Sequence, residues 1–511
     1  MCAAPALPYL NDMRGARITA AWRIGLGLLA AGLVVLSLWQ LRTAHGGTVQ
    51  AKVTLAGSPA TVYRPPDAKR EAPLVVVAHG FAGSRRMMQS LSLTLARSGF
   101  LVVAFDFIGH GRDDRLLSPD VARIEGTTAQ LVRQTQAVIE AARGLDGAAA
   151  GPVALLGHSM ATDVVIRAAR GVPDTAAIVA ISMYSDAVTA RFPERLLIVS
   201  GAWEGRLRKV GLRLLHQVDP ALGEGETARA EGVLRRAIAA PRTEHVGVLY
   251  SPVTLAAARD WIAQAMGRAP GGPVAAIGWP VLGLLAGLVL AFPALLHAVP
   301  GAAAPPAPGP VPPRGRFLAA LALPVLPAAT AMLALAGQGP VAGMVPLAAF
   351  LGVWGAVQLA VLRGAGWRPG RAHWPALGLL LVWGLVFALA LDRAGSAFVP
   401  AGIRGPLMLL LLIGALPFAL ADTALAQGAP LWRRVVSRLA VLGALGGTIM
   451  AAPGTLGLIF TVLPVLVLFW LVYGSFGRWT AMRAGATTAG LGSAVALAWA
   501  LAASTPLFAL P

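Results

Sequence analysis

PVALLGHSMATDVVIRAARG, residues 152–171, is the most informative segment of this 511-residue chain. Its first five residues form a short apolar run typical of a β-strand, and residues 160–170 show helical periodicity, with apolar residues on one face. Ser159 is therefore predicted to lie in the turn between a strand and a helix. Gly157 and Ala161 on either side are small, so the backbone can pass close to its neighbours and hold the serine in a strained conformation. The pattern is Gly-x-Ser-x-Gly with one departure, alanine for the second glycine.

The composition and charge of the chain indicate a membrane protein rather than a nucleic-acid-binding one. Hydrophobic residues make up 56% of the chain and its mean hydropathy is +0.68, which is too apolar for a wholly soluble protein. The formal net charge is +19, but residues 45–268 hold only +6 of it, while the residues before them carry +3 and those after them +10. Most of the excess therefore lies in short segments beside apolar runs, as expected for membrane orientation signals.

A first apolar run, at residues 18–41, is long enough to cross the hydrocarbon core of a bilayer. Arg14, Arg17 and Arg23 precede or open this run, which predicts that residues 1–17 are cytoplasmic and that the chain then crosses the membrane. A cleaved signal peptide is the alternative. The length of the run and the lack of a clear small-x-small cleavage site favour a retained transmembrane anchor.

Residues 45–268 have the composition of a soluble domain and hold 20 of the 23 acidic residues. Short apolar runs alternate here with longer helical patterns, which predicts an α/β fold, a mostly parallel sheet with helices on both faces. An antiparallel hairpin at 48–55 and 60–63 is predicted at one edge. Sheets of this kind place their sites at the carboxyl ends of the strands, where Ser159 lies. The other strands are predicted at 74–78, 101–105, 153–156, 176–181, 196–199 and 246–250.

Residues 273–511 consist of apolar runs separated by short Gly, Pro and Arg segments, and they predict an all-α membrane domain of about eight spans. A Pro-rich linker is predicted at 300–313. If residues 45–268 lie outside the cytoplasm, the inner loops hold ten arginines and the outer loops two, Arg393 and Arg404. This distribution supports nine spans in all and an extracytoplasmic soluble domain on a plasma (inner) membrane. The eight spans are predicted at 274–298, 317–337, 341–362, 374–391, 405–424, 435–452, 455–473 and 485–508.

A serine hydroxyl needs a base, an orienting carboxylate and donors for a developing oxyanion before it can act as a nucleophile. The segment HGFAG at residues 79–83 follows a predicted strand. This turn can direct the backbone N–H of Phe81 toward the position at which the N–H of Met160 also points. An ordinary glycine-rich turn between a strand and a helix is the alternative interpretation.

Three motifs, HGFAGS at 79–84, DFIGHGRD at 106–113 and GHSMA at 157–161, resemble in their order and spacing the α/β-hydrolase family, in its esterase, lipase and serine-peptidase branch. The resemblance covers residues 45–268, and no family is recognised for the membrane part. It implies a catalytic triad in the chain order serine, acid, histidine, without a cofactor or a metal ion. Ser159 would be the nucleophile, Glu204 after the predicted strand 195–200 the acid, and His245 the base.

The acid and the base each have an alternative. Asp186, after the predicted sixth strand, could replace Glu204. His216 and His110 compete with His245, although His216 has the surroundings of a surface residue and the family uses His110 in a structural turn. Two further histidines flank the site but have no base role in the family, His79 and His158.

Two loops near the predicted site carry arginines at Arg85, Arg86, Arg112 and Arg115. They could attract an anionic substrate or a lipid headgroup, or they could form a solvated charged surface, which is favoured. The loop between the sixth and seventh strands is too short for a helical cap. Residues 205–242 are therefore expected to cover the pocket.

These features predict a membrane-anchored serine hydrolase that cleaves an ester, thioester or amide through an acyl-enzyme. Its partners would be membrane lipid and a small-molecule, lipid or peptide acyl substrate, with no nucleic acid. An acyltransferase with the same triad is one alternative, and a membrane transport or assembly protein with a hydrolase-like binding module is another. The near absence of ionisable residues within the spans weakens the transport alternative.

Overall fold

A nine-stranded sheet flanked by helices is followed along the chain by a long all-helical region in the computed structural model. The structure describes residues 9–65, 71–269, 271–300 and 311–511, with side chains from Ile24 onward. The predicted cytoplasmic segment 1–17 and the predicted linker 300–313 thus lie partly outside the described residues. The predicted fold class, an α/β domain joined to an all-α region, is confirmed.

The central strands of the sheet are apolar and buried on both faces. Its strands are β1 (Val49–Leu55), β2 (Ser58–Arg64), β3 (Leu74–Ala78), β4 (Leu101–Phe105), β5 (Val153–His158), β6 (Thr175–Ile181), β7 (Arg195–Gly201), β8 (Thr227–Ala230) and β9 (Val233–Ala240). Their order is β1-β2-β4-β3-β5-β6-β7-β9-β8. The pairs β1–β2, β2–β4 and β8–β9 are antiparallel and the other pairs are parallel. The predicted edge hairpin is therefore present.

A long helix, α1 (Tyr9–His45), precedes the sheet in the chain. Later helices cover both faces of the sheet. One face packs against α3 (Ala129–Arg143), α4 (Met160–Ala169) and α5 (Gly205–His216), and the other against α2 (Gln89–Arg97) and α6 (Pro252–Ala265). Successive strand residues point to opposite faces, so Val76 packs with the first set of helices and Val77 with the second. The carboxyl ends of β3, β5, β6, β7 and β9, which are neighbours, therefore meet along one edge.

Two expectations about the end of this domain are wrong. The predicted strand 246–250 is a 3₁₀ helix, Gly247–Tyr250, and the last strands are β8 and β9. Residues 205–242 consequently form α5 and two strands of the sheet rather than a separate cover, and only Leu207 of this segment lines the pocket. The apolar pattern of β9 is interrupted by Arg235, which is buried and donates to the carbonyl oxygens of Leu214 and Thr189.

The all-helical region contains the predicted apolar spans. Among the described residues, eight helical segments, including Ile24–His45 of α1, are long and apolar enough to cross a membrane. The helices after the sheet are α7 (Gly278–His297), α8 (Arg314–Ala322), α9 (Val325–Ala334), α10 (Met344–Gly364), α11 (Trp374–Ala394), α12 (Arg404–Ala426), α13 (Leu431–Ala451), α14 (Pro453–Leu456) and α15 (Val462–Ser504). These lengths and compositions are compatible with an integral membrane protein.

The last helical segment, Pro453–Ser504, covers two predicted spans, and the loop expected between them is absent because α15 continues through it. The helix breaks instead at Gly485, whose backbone has φ 87° and ψ 157°. A Cβ added at Gly477 would lie 2.8 Å from the Ser493 hydroxyl, although 16 residues of straight helix would separate the two by roughly 24 Å. The two halves therefore fold back on each other as a hairpin. If each half of this hairpin crosses the membrane, the eight segments give nine spans, so the count of nine stays a prediction.

The α/β domain packs on one end of the helical region through polar and aromatic contacts. Arg404 is buried at the start of α12, and it donates to the carbonyl oxygens of Gly109, Ala502 and Thr505 at 2.7–2.9 Å. The backbone of Leu117 pairs with that of residues 507–509. Arg404, predicted to lie in an outer loop, thus joins the two parts of the chain.

Candidate active site

Ser159 lies in the tight turn between β5 and α4, as predicted. Its backbone has φ 53° and ψ −120°, a conformation that residues with a side chain rarely adopt. A Cβ added at Gly157 would come within 2.6 Å of the Ala161 carbonyl oxygen, so only glycine fits there. The Ala161 methyl is itself buried, which shows that the second small position tolerates one carbon. The strained turn holds the serine hydroxyl at the edge of the sheet.

Ser159, His245 and Glu204 are brought together by the carboxyl ends of three strands. The Ser159 hydroxyl lies 2.9 Å from Nε2 of His245, and Nδ1 of the same ring lies 2.6 Å from Oε1 of Glu204. Glu204 follows the end of β7 by three residues, and His245 follows the end of β9 by five. This arrangement gives the serine a base and the base an orienting carboxylate.

The pKa shifts of His245 and Glu204 suit a histidine that works as a base. The hydrogen bond to Glu204 raises the pKa of His245 above the ordinary value of 6.5, against an opposing effect of burial. Burial by itself would raise the pKa of Glu204, but hydrogen bonds from His245, Ser182 and the Gly201 N–H outweigh it and lower that pKa. Glu204 is therefore ionised and can stabilise an imidazolium.

The structure also shows two residues around the carboxylate that the sequence analysis missed. The Ser182 hydroxyl donates to Oε2 of Glu204 at 2.6 Å, and the backbone N–H of Gly201 donates to the same oxygen at 2.6 Å. Ser182 follows β6 with a positive φ of 52°. A signal was available, since a small polar residue directly after a parallel strand lies at the edge that carries the site.

The turn that contains Phe81 approaches Ser159 closely. A Cβ added at Gly80 would lie 3.0 Å from Cβ of Ser159 and 2.9 Å from Nδ1 of His158, so only glycine allows this approach. Met160 is the first residue of α4, and its N–H has no acceptor within the helix. The N–H groups of Phe81 and Met160 thus lie on two backbone segments beside the serine, and their role as an oxyanion hole stays a prediction.

Three other histidines near the site are buried and neutral. Burial lowers the pKa of His79 and of His158 to about 4 and that of His110 to about 3. His79 accepts from the Phe107 N–H, and His158 lies 2.9 Å from the His245 carbonyl oxygen, so both rings hold backbone in place. The remaining competitor, His216, lies 2.9 Å from the Leu222 carbonyl oxygen on an exposed stretch. His245 is the histidine in contact with Ser159.

A cavity of about 360 Å³ opens at Ser159 and His245. Asp186 lines this cavity, but its carboxylate pairs with Arg167, which also binds Asp163 at 2.7 Å. The carboxylate on His245 is therefore Glu204 rather than Asp186. Apolar side chains form much of the remaining wall, from Ile124, Leu131, Met160, Val164 and Leu207. Among the residues that the structure describes, no group of three His, Cys, Asp or Glu side chains could hold a metal ion.

Each of the four loop arginines pairs with a carboxylate, so none is free for an anionic substrate, and only Arg115 is exposed as expected for a solvated surface. Arg85 pairs with buried Asp106, and Arg115 pairs with Asp113 at 2.5 Å. Arg86 and Arg112 both bind Asp392 at the end of α11, at 3.3 and 2.8 Å. Phe81 lies nearby, and its ring stacks on Phe460 of the helical region with a centroid separation of 5.9 Å. The loop that carries Phe81 is thus held against the helical region.

Comparisons with known proteins found solved structures that are similar to part of the chain. The solved structures that match include the protein TT1662 of Thermus thermophilus, at 18% identity over 43% of this chain and 99% of that one, with a TM-score of 0.31. Est1E of Butyrivibrio proteoclasticus matches at 15% identity over the same shares, with a TM-score of 0.32. The epoxide hydrolase VrEH1 of Vigna radiata matches at 23% identity over 27% of this chain and 41% of that one, with a TM-score of 0.21.

No curated protein matches the chain. A family match covers residues 69–212 and is to the family described as "Serine aminopeptidase, S33". The matched segment includes β3, the turn with Phe81, and the Ser159 elbow, and it ends within α5. The similarity to this α/β-hydrolase family thus covers residues 69–212, the part of the chain that carries Ser159.

Proposed function

We propose that the protein is a membrane-embedded serine hydrolase that cleaves an ester, thioester or amide through an acyl-enzyme on Ser159. One observation carries the proposal, the continuous hydrogen-bonded series from the Ser159 hydroxyl through His245 to Glu204. A serine in a strained turn with a base at 2.9 Å is the arrangement that acyl transfer requires. The family of residues 69–212 supports the same reaction class.

The reaction would begin when His245 Nε2 takes the proton of Ser159 as Oγ attacks the substrate carbonyl carbon. The carbonyl oxygen becomes an oxyanion, which the N–H groups of Phe81 and Met160 would stabilise. The tetrahedral intermediate then collapses as His245 returns the proton to the leaving alkoxide, thiolate or amine. Water, deprotonated by His245, attacks the acyl-enzyme, and the acid is released with Ser159 restored. Glu204 stays ionised throughout.

The cavity beside Ser159 favours substrates with an apolar acyl group. Its volume of about 360 Å³ lies in the range of small-molecule sites, and aliphatic side chains line it. On one wall Arg167 pairs with both Asp163 and Asp186, which leaves a formal charge of −1 and no free positive charge for an acidic acyl group. Lipid or small-molecule acyl groups would therefore bind better than acidic ones.

A series of p-nitrophenyl esters with lengthening acyl chains tests this function on the full-length protein in detergent. We expect kcat/KM to rise about fourfold for each methylene that enters the cavity, from roughly 0.8 kcal/mol of burial, and to level off when the cavity is full. The Ser159→Ala variant, which lacks the nucleophilic oxygen and should hydrolyse none of these esters, gives the control. No turnover of any ester or thioester would count against the hydrolase.

We further propose that the hydrolase domain lies outside the cytoplasm. The parts of the helical region that contact this domain lie near Asp392, Arg404, Phe460 and Phe508. Ten of the twelve arginines after residue 268 lie at or near the opposite ends of the helices, in the loops there or beside the break in α15. Arginine-rich loops stay in the cytoplasm, and long domains cross largely regardless of their charge, so a domain charge of +6 does not oppose export.

Reporter fusions at about residue 268 and after Pro511 test this orientation. Alkaline phosphatase, active only outside the cytoplasm, should be active at both points, and a cytoplasm-only reporter should be inactive at both. Cytoplasmic activity at residue 268 would overturn the orientation. Opposite signals at the two points would instead show a miscounted span, and α13, with the lowest hydropathy of the eight candidates at 1.3, is the first to suspect.

A further inference from the structure

A second cavity lies within the helical region, far from Ser159. Its volume is about 430 Å³, and it is lined by the last turns of α12, the start of α13 and both halves of α15. The first residue of α12, Arg404, contacts the hydrolase domain at Gly109, and residues 418–426 of the same helix line the cavity. At 1.5 Å per residue, the two ends of α12 are roughly 30 Å apart. The cavity is therefore separate from the active site.

Three guanidinium groups converge on this cavity. Arg434 and Arg438 lie one turn apart near the start of α13, and Arg478 comes from the first half of α15. One carboxylate, that of Asp422 in α12, also lines the cavity and lies 3.5 Å from Arg438. Three arginines against one aspartate leave a formal charge of +2.

The arginines have fewer partners than their donors require. In the part of the chain that the structure describes, Arg438 has Asp422 as an ion-pair partner, whereas Arg434 and Arg478 have no carboxylate within ion-pair distance. The Nε atoms of Arg434 and Arg438 are buried without an acceptor. Unpaired buried donors and like charges in a cleft both cost free energy, and an anion in the cavity would offset both costs. Arginines that serve only membrane orientation have no reason to share a cavity.

We propose that this cavity binds a phosphate-bearing anion. Guanidinium groups bind phosphate through paired N–H donors, and basic pockets between transmembrane helices suit anionic lipid headgroups. An aromatic wall formed by Phe418, Phe469 and Trp470 would contact an apolar part of the ligand. The phosphate could belong to a membrane phospholipid or to a soluble phosphate compound. The proposal does not depend on the chemistry at Ser159.

Thermal unfolding of the purified full-length protein tests the site in nanodiscs of phosphatidylcholine alone and of phosphatidylcholine mixed with phosphatidylglycerol. A third sample in phosphatidylcholine receives inorganic pyrophosphate. We expect one of the two probes to stabilise the protein, and the Arg434→Gln/Arg478→Gln variant to weaken its binding by at least roughly tenfold. Stabilisation by phosphatidylglycerol identifies a lipid as the source, and stabilisation by pyrophosphate alone identifies a soluble compound.

The matched control is Arg371→Gln, which removes an exposed arginine in the loop before α11, outside the cavity. It should leave binding of the effective probe unchanged. Failure of both probes to stabilise the protein would overturn the proposal. Equal losses of probe binding in the control and in the double variant would also overturn it. If the double variant does not fold, Arg478→Gln alone replaces it, because that side chain is exposed.

Discussion

Replacing Ser159 with alanine should abolish covalent labelling by a fluorophosphonate and lower ester turnover on the order of 10⁴- to 10⁶-fold. The reagent reacts with a serine whose proton can pass to a base, and the Ser159 hydroxyl has His245 at 2.9 Å. Alanine removes that oxygen and keeps the Cβ, so the strained turn can persist. The measurement is gel fluorescence after labelling, together with the rate of p-nitrophenyl ester hydrolysis and the melting temperature.

Ser98→Ala is the matched control for this experiment. Ser98 follows α2 at the opposite edge of the sheet, where it donates to the Thr94 carbonyl oxygen. The control should keep full labelling and turnover. Labelling that survives Ser159→Ala, at an unchanged melting temperature, would remove the acyl-enzyme from the proposal because another residue would then be the nucleophile.

The site around Ser159 was predictable because its signals are local. A strand of apolar residues, the small residues at Gly157 and Ala161, and an apolar helical face are all visible within 20 residues of sequence. Assigning Glu204 and His245 required more information, because spacing alone left Asp186 as an alternative acid. The choice depended on the resemblance to a family with a known chain order, and the structure then placed Glu204 on His245.

The last strands, and the contacts between the α/β domain and the helical region, could not be predicted from the sequence. The reason lies in individual polar side chains. Burial of Arg235 in β9 depends on the carbonyl oxygens of Leu214 and Thr189, which no periodicity reveals. Arg112 and Asp392 are 280 residues apart, so the arginine has the appearance of a surface residue in the sequence. Each of these side chains pairs with a partner that only the folded chain brings close. Polar residues that serve tertiary contacts are therefore the ones that sequence patterns misplace.

The carboxylate on His245 gives the second large expected effect. Glu204→Gln should lower kcat by about 10³- to 10⁴-fold, whereas Asp186→Asn should lower it by less than about tenfold. Glu204 accepts the Nδ1–H of His245, which leaves Nε2 free to take the Ser159 proton. A glutamine can present its NH₂ to Nδ1 instead, and the ring then carries its proton on Nε2 and cannot act as the base. Asp186 pairs with Arg167 and contributes to the cavity wall only.

The pH profile separates this role from a merely structural one. Because Glu204 raises the pKa of His245, the wild-type kcat/KM should rise with pH through an apparent pKa above 6.5, the value of an ordinary histidine. Protonated His245 cannot accept the serine proton, so activity is lost as the pH falls through that value. In Glu204→Gln the apparent pKa of the profile should shift to a lower value, because the charge that favours the imidazolium is gone. Asp186→Asn should keep the wild-type profile. A larger loss in Asp186→Asn, accompanied by the downward shift of the profile, would make Asp186 the acid and leave Glu204 as a residue of the turn after β7.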